Sequence, residues 1–352
     1  MRPLYSAVVL AAAIAVFPSI GSGQHDPGVG PYKVLKTVKV GGDGGFDYIS
    51  ADVEARRLYV PRSGPNGQLT VFNLDTLEPA GSIAGIKSGG ATVDPQSHHG
   101  FSTTKPIIMW DSKTLQVIKT IDVDGRPDGI MFDPFNERVW VLSHVAPYAT
   151  VLDANEGSVV GTIDLGGQPE QAVSNGKGTI YVTIMDKSNI AVVDAKNLRV
   201  TKHLDLSSKG VSAGSGLSLD AKNHILFSYW RLPLPEALIV NADSGNIIAT
   251  FPTDLNVDTV AFNAATMEGI STAGGGSIVF IKENSPTRFE VEQRLKTMVG
   301  ARTMVLDTKT NHVLTMAFEY GPRPADAPPP VPGRMALGPP MPGSFTLVMV
   351  GK

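Results

Sequence analysis

Five charged residues occupy equivalent places in this chain, each directly before an apolar run. They are Asp47, Asp128, Glu170, Asp258 and Arg302, found in GFDYIS, RPDGIM, QPEQAV, NVDTVA and GARTMV. Four carboxylates gathered with one guanidinium could bind a cation, a polyamine-like ligand or a sugar-like ligand. Closely packed like charges also raise a carboxyl pKa, which would suit acid–base chemistry. The alternative reading is that these groups are solvated and bind nothing.

Two further segments carry groups that could stack on a ligand or orient it. One is SHVAPY, which contains His144, and the other is YWR, which contains Trp230 and Arg231. With the five charged residues they complete the predicted ligand-binding set. No residue is predicted to be catalytic, and the sequence identifies no cofactor.

Several chemistries lack the residues they need. The chain has no cysteine, which excludes disulfides, thiol nucleophiles, a lipid-modified cysteine and cysteine metal sites. The segment Ala213–Gly216 does not match G-x-S-x-G, and no phosphate-binding or dinucleotide-binding glycine motif is present. His98, His224 and His312 fall in different repeats, so we predict no histidine metal site. The sequence therefore favours a non-enzymatic protein.

The elements that must position these residues come from a repeat of about 40 residues. Its copies combine short apolar alternations with an Asp or Asn turn. Aligned examples are TVDPQSHHGFST, MFDPFNERVWVL, LSLDAKNHILFS and MVLDTKTNHVLT. Self-similarity of short strands at a fixed period predicts an all-β fold, a β-propeller with one four-stranded antiparallel blade per repeat.

Seven copies can be placed, which predicts a seven-bladed propeller. Their ranges are 46–86, 89–123, 126–165, 168–206, 214–253, 257–296 and 301–352. The last copy has three strands, and segment 32–42 could supply the fourth. That pairing would close the ring and leave no central edge unpaired. The alternative is an ordered N-terminal arm with no closing role.

Two columns of acidic residues read as turn formers. Asp94 and Asp133, each followed by Pro, lie between the first and second strands of their blades. The second column, at the turn into the fourth strand, consists of Asp75, Asp111, Asp153 and Asp194. In a propeller these turns lie on one face. The inter-blade connections and second-to-third loops lie on the other, so the candidate residues should meet around the central channel.

The phrases RLYV, TIYVT and IAVVDAKNLRV, the Asp-Pro turns and the ending PGSFTLVMVGK resemble YVTN-type, YncE-like β-propeller repeat proteins. The resemblance covers nearly all of residues 32–352. It implies a seven-bladed, exported bacterial propeller, in a family whose members mostly lack an assigned reaction. The second repeat is short between Thr103 and Ile107, and YWRLPLPEALIV replaces a compact turn in the fifth, so ligand specificity does not transfer.

The N-terminus and one insertion stand apart from the repeats. Arg2, an apolar stretch and small residues at 19–23 predict a signal peptide over 1–23, with residues 24–352 as a single domain; a membrane anchor is the alternative. The expected location is the periplasm or the exterior, and no membrane span is predicted after cleavage. The proline-rich insertion 321–343 could cover the channel, recruit a partner or be inert.

These observations leave three functional hypotheses. The first is an exported binding or scaffold protein that takes an unknown small ligand or protein partner at the channel mouth. The second is an oxidoreductase or lactonase-like hydrolase that uses a cation or dissociable cofactor there. The third is recognition of nucleic acid or an envelope polymer. The net charge of −3, without basic clusters, does not favour nucleic acid.

Overall fold

The computed structural model describes residues 28–42, 44–87 and 89–352. The predicted signal peptide lies outside the described residues. Seven four-stranded antiparallel sheets make up nearly all of the described chain, so the predicted seven-bladed propeller is confirmed. The described residues contain no α-helix, and hence none that could cross a membrane.

Blades one to three follow one another along the chain, each built from four consecutive strands. Their strands are β2 (Ser50–Asp52), β3 (Arg57–Pro61), β4 (Gln68–Asn73) and β5 (Pro79–Ala84); β6 (Ala91–Val93), β7 (His99–Ser102), β8 (Ile107–Asp111) and β9 (Val117–Ile121); and β10 (Pro127–Asp133), β11 (Arg138–Ser143), β12 (Ala149–Asp153) and β13 (Val159–Ile163).

Blades four to six repeat this order, and a single 3₁₀ turn (Ser207–Lys209) precedes blade five. Their strands are β14 (Pro169–Ser174), β15 (Thr179–Ile184), β16 (Asn189–Asp194) and β17 (Arg199–Asp205); β18 (Ser212–Asp220), β19 (Ile225–Leu232), β20 (Glu236–Asn241) and β21 (Ile247–Pro252); and β22 (Val257–Asn263), β23 (Glu268–Ala273), β24 (Ser277–Ser285) and β25 (Arg288–Lys296).

Blade seven is completed by the first strand of the chain. Its strands are β26 (Met304–Asp307), β27 (His312–Ala317), β28 (Thr346–Gly351) and β1 (Lys33–Lys39). β1 pairs antiparallel with β28, in a register that runs from Lys33 opposite Gly351 to Lys39 opposite Thr346. The predicted ring closure is therefore confirmed, and the alternative of an arm with no closing role is wrong.

The core lies between neighbouring blades. Middle strands are buried on both faces, as at Leu58, Tyr59 and Val60, because each blade packs against the next. The indole of Trp110 in blade two lies 6.0 Å from the ring of Tyr59 in blade one. A Cβ at Gly100 would lie 2.1 Å from the Trp110 ring, so that position needs glycine. This packing fixes where the inner strands begin around the channel.

The acidic turn residues satisfy backbone groups. Asp94 Oδ1 accepts from the Gln96 amide at 2.9 Å, and Asp111 Oδ1 accepts from the Lys113 amide at the same distance. In blade one the second column is occupied by Asn73, whose Oδ1 accepts from the Asp75 amide at 2.9 Å. The prediction that Asp75 belongs to this column is therefore wrong by two residues. Asp75 instead forms an ion pair with Arg56.

Candidate functional site

Five blades each place one charged side chain at the channel mouth, on the inner strand or just before it, on the face opposite the acidic turns. We call the face with the inter-blade connections and second-to-third loops the mouth face. Two loop or strand-end residues, one from blade three and one from blade five, join this group. Consecutive ion pairs link the resulting set of Asp47, Asp128, His144, Glu170, Arg231, Asp258 and Arg302.

One half of the mouth, on blades four to seven, is internally neutralised. We call it the paired half. Arg302 Nε donates to Asp258 Oδ2 at 2.7 Å, and Arg231 Nη2 donates to Asp258 Oδ1 at 2.7 Å. Arg231 also reaches Glu170 Oε1 at 3.4 Å. Burial alone would raise the pKa of Asp258, but the charges of Arg302 and Arg231 hold it below its usual value. These residues form a largely buried network in which each charge has an oppositely charged partner.

The other half, which we call the open half, contains two carboxyl groups with weak partners. Arg302 Nη2 lies 3.6 Å from Asp47 Oδ1, and His144 Nε2 lies 3.3 Å from Asp128 Oδ2. The side chains of Asp47 and Asp128 are 31% and 28% exposed, against 8% for Asp258. Burial of the carboxyl groups raises the pKa of both, well above its usual value for Asp47. Their negative charge is under-compensated.

In blade two the position equivalent to Asp47 and Asp128 is Gly89, so no side chain from that position fills the space between the two carboxyl groups. Gly89 stands five residues before the turn residue Asp94, as Asp47 and Asp128 stand before theirs. A Cβ at Gly89 would lie 3.7 Å from Asp47 Cβ and 3.8 Å from Asp128 Oδ1. A longer side chain would therefore fill the space between these carboxyl groups.

His144 connects the two halves. Its Nε2 lies 3.3 Å from Asp128 Oδ2 and 3.2 Å from Glu170 Oε2, and the hydrogen bond to Glu170 raises its pKa. Arg126 Nη2 lies 3.0 Å from Nδ1. Because a guanidinium can only donate, the neutral ring accepts at Nδ1 and carries its proton on Nε2.

The same three side chains meet the distance requirement for a metal site. Their ligand atoms in Asp128, His144 and Glu170 all lie within 4.8 Å of one another. Metal-bound histidines, however, normally donate their second ring N–H to a carboxylate or carbonyl. Here that nitrogen faces Arg126, and Arg231 contacts Glu170. These two cations disfavour a metal ion, and the absence of a metal site stays a prediction.

Beneath the mouth the channel holds a cavity of about 320 Å³. Gln171 spans it: its Nε2 donates to Val260 O at 3.2 Å, and its Oε1 accepts from the Leu217 amide at 3.1 Å. Tyr48 also lines the cavity, is nine-tenths buried, and has no hydrogen-bond partner for its hydroxyl among the described residues. Burial and the charges of the mouth carboxylates raise its pKa. This hydroxyl lacks the partner that buried polar groups normally have.

The proline-rich segment 321–343, which we call the strap, reaches from blade seven to blade five. Its two legs pair where Gly321 N donates to Pro339 O at 2.9 Å. Its far turn lies on Arg231, because a Cβ at Gly333 would come within 2.9 Å of Arg231 Cβ. The strap thus contacts the paired half, whereas Asp47 and Asp128 keep their solvent exposure.

Comparisons with known proteins support the fold and nothing finer. Neither a protein-family model nor a curated protein matches this chain. Among solved structures, the chain is similar to Kuenenia stuttgartiensis hydrazine synthase, with a TM-score of 0.65, 15% identity, and coverage of 79% of this chain and 94% of that one. It is also similar to a chain of the mitotic checkpoint complex, with a TM-score of 0.67, 10% identity, and coverage of 90% and 96%. At these identities the similarity shows a β-propeller.

Of the residues predicted to bind ligand, Trp230 alone does not lie at the mouth. Its indole is buried in the core between blades, where Nε1 donates to Ser228 Oγ at 2.9 Å. Neighbouring side chains of a strand point to opposite faces, so Arg231 faces the mouth and Trp230 faces away. The residues that the sequence reading missed are Tyr48, Gly89, Gln171 and Arg334. Spacing from the turn residues would have found the first three.

Proposed function

We propose that this chain is an exported propeller that binds a small cationic ligand in the open half of its channel mouth. The observation that carries the proposal is the pair of under-compensated carboxyl groups, Asp47 and Asp128, on either side of the space at Gly89. A cation there would favour the ionised form of both carboxyl groups, which burial opposes.

The surroundings support an organic cation such as an alkylammonium. Ammonium and guanidinium groups donate charge-assisted hydrogen bonds to carboxylates without demanding a fixed set of ligands. The unpartnered hydroxyl of Tyr48 below the mouth offers a further polar contact, either direct or through water. The paired half supplies a rigid wall, because Asp258 and Arg231 are almost fully buried.

Family and location belong to the same proposal. The ordered repeat series and the ending PGSFTLVMVGK support a YVTN-type, YncE-like protein, and the N-terminal pattern supports export to the periplasm or exterior. N-terminal sequencing of protein made in a bacterial host would test export. A mature chain that still begins at Met1 in the cytoplasm would contradict it.

Amide substitution of the two carboxyl groups should abolish cation binding. We expect Asp47→Asn or Asp128→Asn to weaken binding of n-butylamine about 10- to 100-fold, because a hydrogen bond to a charged group contributes about 1.5–3 kcal/mol. The double variant should show no binding by isothermal titration calorimetry. Gly89→Val should also weaken binding, because its side chain occupies the space while the charge stays the same.

The matched control is Asp243→Asn, an exposed carboxylate on the opposite face that pairs with His224. Its affinity for n-butylamine should equal that of the wild type. Unchanged binding by the Asp47→Asn/Asp128→Asn double variant, or no binding of any small amine to the wild type, would contradict the proposed function.

Cation binding should strengthen with rising pH. The pKa values of Asp47 and Asp128 are raised, so both carboxyl groups ionise above the ordinary value of about 4. The pKa of His144 is also raised, and its positive charge at lower pH opposes a cation. Butylguanidinium keeps its charge at all of these pH values. We expect its affinity to rise as the pH increases through the raised pKa values of Asp47, Asp128 and His144. A flat profile in the wild type, or an unchanged one in Asp47→Asn, would be the opposite result.

A further inference from the structure

The mouth carries unequal charge on its two sides. The open half holds Asp47 and Asp128. On the other side, the side chains of Arg231 and Arg302 already compensate Asp258, each at 2.7 Å. The strap adds a third guanidinium, that of Arg334, which follows Gly333 at the contact with Arg231, and its positive charge helps to lower the pKa of Asp258. One side therefore has surplus negative charge, and the other has a surplus cation.

The position of Arg334 follows from how the strap is built. A turn closes where Arg334 N donates to Val331 O at 3.0 Å. Gly333 in that turn has φ of +75°, and it packs directly on Arg231. The next residue, Met335, packs against Gly274 of blade six. A Cβ at Gly274 would lie 3.2 Å from Met335 Cγ. Arg334 is thus held at the mouth between two anchored neighbours.

The guanidinium of Arg334 is available to a ligand. Its side chain is exposed and has no hydrogen-bond or ion-pair partner among the described residues. The other arginine of the strap, Arg323, differs, because its guanidinium donates to Pro328 O within the strap. Arg334 is therefore free to hold an anionic group of a ligand bound beside it.

We infer that the ligand is a small zwitterion, with its ammonium between Asp47 and Asp128 and its carboxylate on Arg334. This inference rests on the proposed function and adds a second recognition element to it. A simple amine would occupy the open half alone. A compound with both charges would contact both sides of the mouth and would gain a charge-assisted hydrogen bond to Arg334. Arg334 is then a specificity-determining residue on the strap.

The test compares n-alkylamines with ω-amino acids of the same chain length, from three to seven carbons, by calorimetric titration. We expect one ω-amino acid to bind wild-type protein about tenfold more tightly than its matched amine. Arg334→Gln should remove that advantage without weakening the binding of the amine. Arg323→Gln, on the same strap, should retain the advantage.

Each other outcome decides between the two proposals. Equal affinity of amines and ω-amino acids for the wild type, or an advantage that persists in Arg334→Gln, overturns the zwitterion inference and leaves the cation proposal standing. If neither series binds, both proposals fail. Chain length at the affinity maximum reports the separation between the carboxylate pair and Arg334.

Discussion

Replacing Arg231 with methionine should lower the free energy of unfolding by about 3 kcal/mol at neutral pH. Arg231 is 4% exposed and lies between two nearly buried carboxylates, Asp258 and Glu170. Breaking a buried ion pair costs about 3–5 kcal/mol, because it leaves an uncompensated charge in a poor solvent. The lower end applies here, since Asp258 keeps Arg302 and Glu170 keeps His144. Urea denaturation followed by tryptophan fluorescence measures the change.

The pH dependence of this loss separates charge from packing. The pKa of Asp258 is lowered in the native protein, so its ionised form contributes stability above the unfolded-state value and loses it as pH falls. In Arg231→Met the carboxylates can protonate, so the deficit should shrink between pH 7 and pH 4. A deficit independent of pH would mean that packing, and not charge, accounts for the loss. Arg288→Met, at an exposed position on the outer strand of blade six, is the control and should change stability by less than about 0.5 kcal/mol.

Glu268→Ala should destabilise the seventh blade by about 3 kcal/mol. Glu268, on β23 of blade six, is fully buried. Its carboxylate accepts from the Tyr32 hydroxyl, from Thr266 Oγ1 at 2.6 Å and from Lys352 Nζ at 3.0 Å. Tyr32 directly precedes β1, and Lys352 directly follows β28. The substitution leaves the buried Tyr32 hydroxyl unsatisfied, about 1–3 kcal/mol, and opens a cavity.

The location of this effect can be measured by amide hydrogen exchange. Protection of β1 should fall more than that of β14 in blade four, because the Glu268 contacts hold the two strands flanking the closure. Tyr32→Phe keeps the stacking on Phe280, with ring centroids 3.6 Å apart, and should cost about 1 kcal/mol. Glu290→Ala, an exposed position on blade six, is the control. A Glu268→Ala protein as stable as this control would refute the role of the cluster.

The fold could be predicted because the same strand and turn pattern occurs in seven copies along the sequence. Each copy pairs an alternating strand pattern with an Asp or Asn turn. A wrong strand or turn assignment in one copy is therefore corrected by comparison with the other copies. Blade one shows the limit: Asp75 and Asn73 both suit the turn, and only the hydrogen bond to the Asp75 amide identifies Asn73. Ring closure could be predicted because the seventh repeat contains only three strands, β26 to β28. Residues 32–42 show a strand pattern that belongs to no other blade.

The candidate site was predicted less completely, for three physical reasons. Charged side chains are recognisable in a sequence as possible ligand contacts. Gly89 contributes to the site by leaving space between Asp47 and Asp128, which its residue type alone does not indicate. The aromatic and basic character of YWR predicts that both Trp230 and Arg231 lie at the mouth, but adjacent strand residues face opposite sides. Arg334 belongs to a segment without periodicity, so no spacing rule could place it at the mouth. Its position depends on packing of the strap against Arg231, which the sequence does not encode in a local pattern.

The pairing of β1 with β28 also has a consequence for biosynthesis. Val34 and its partner Val350 are separated by almost the whole described chain. Forming this contact therefore has a large entropic cost of loop closure. Among the described strands β1 is synthesised first, and it lacks its hydrogen-bonding neighbour until β28 has been made. Intermediate lengths of nascent polypeptide therefore expose a strand edge, a known hazard for aggregation. Blade seven can therefore be completed only after β28 has been made.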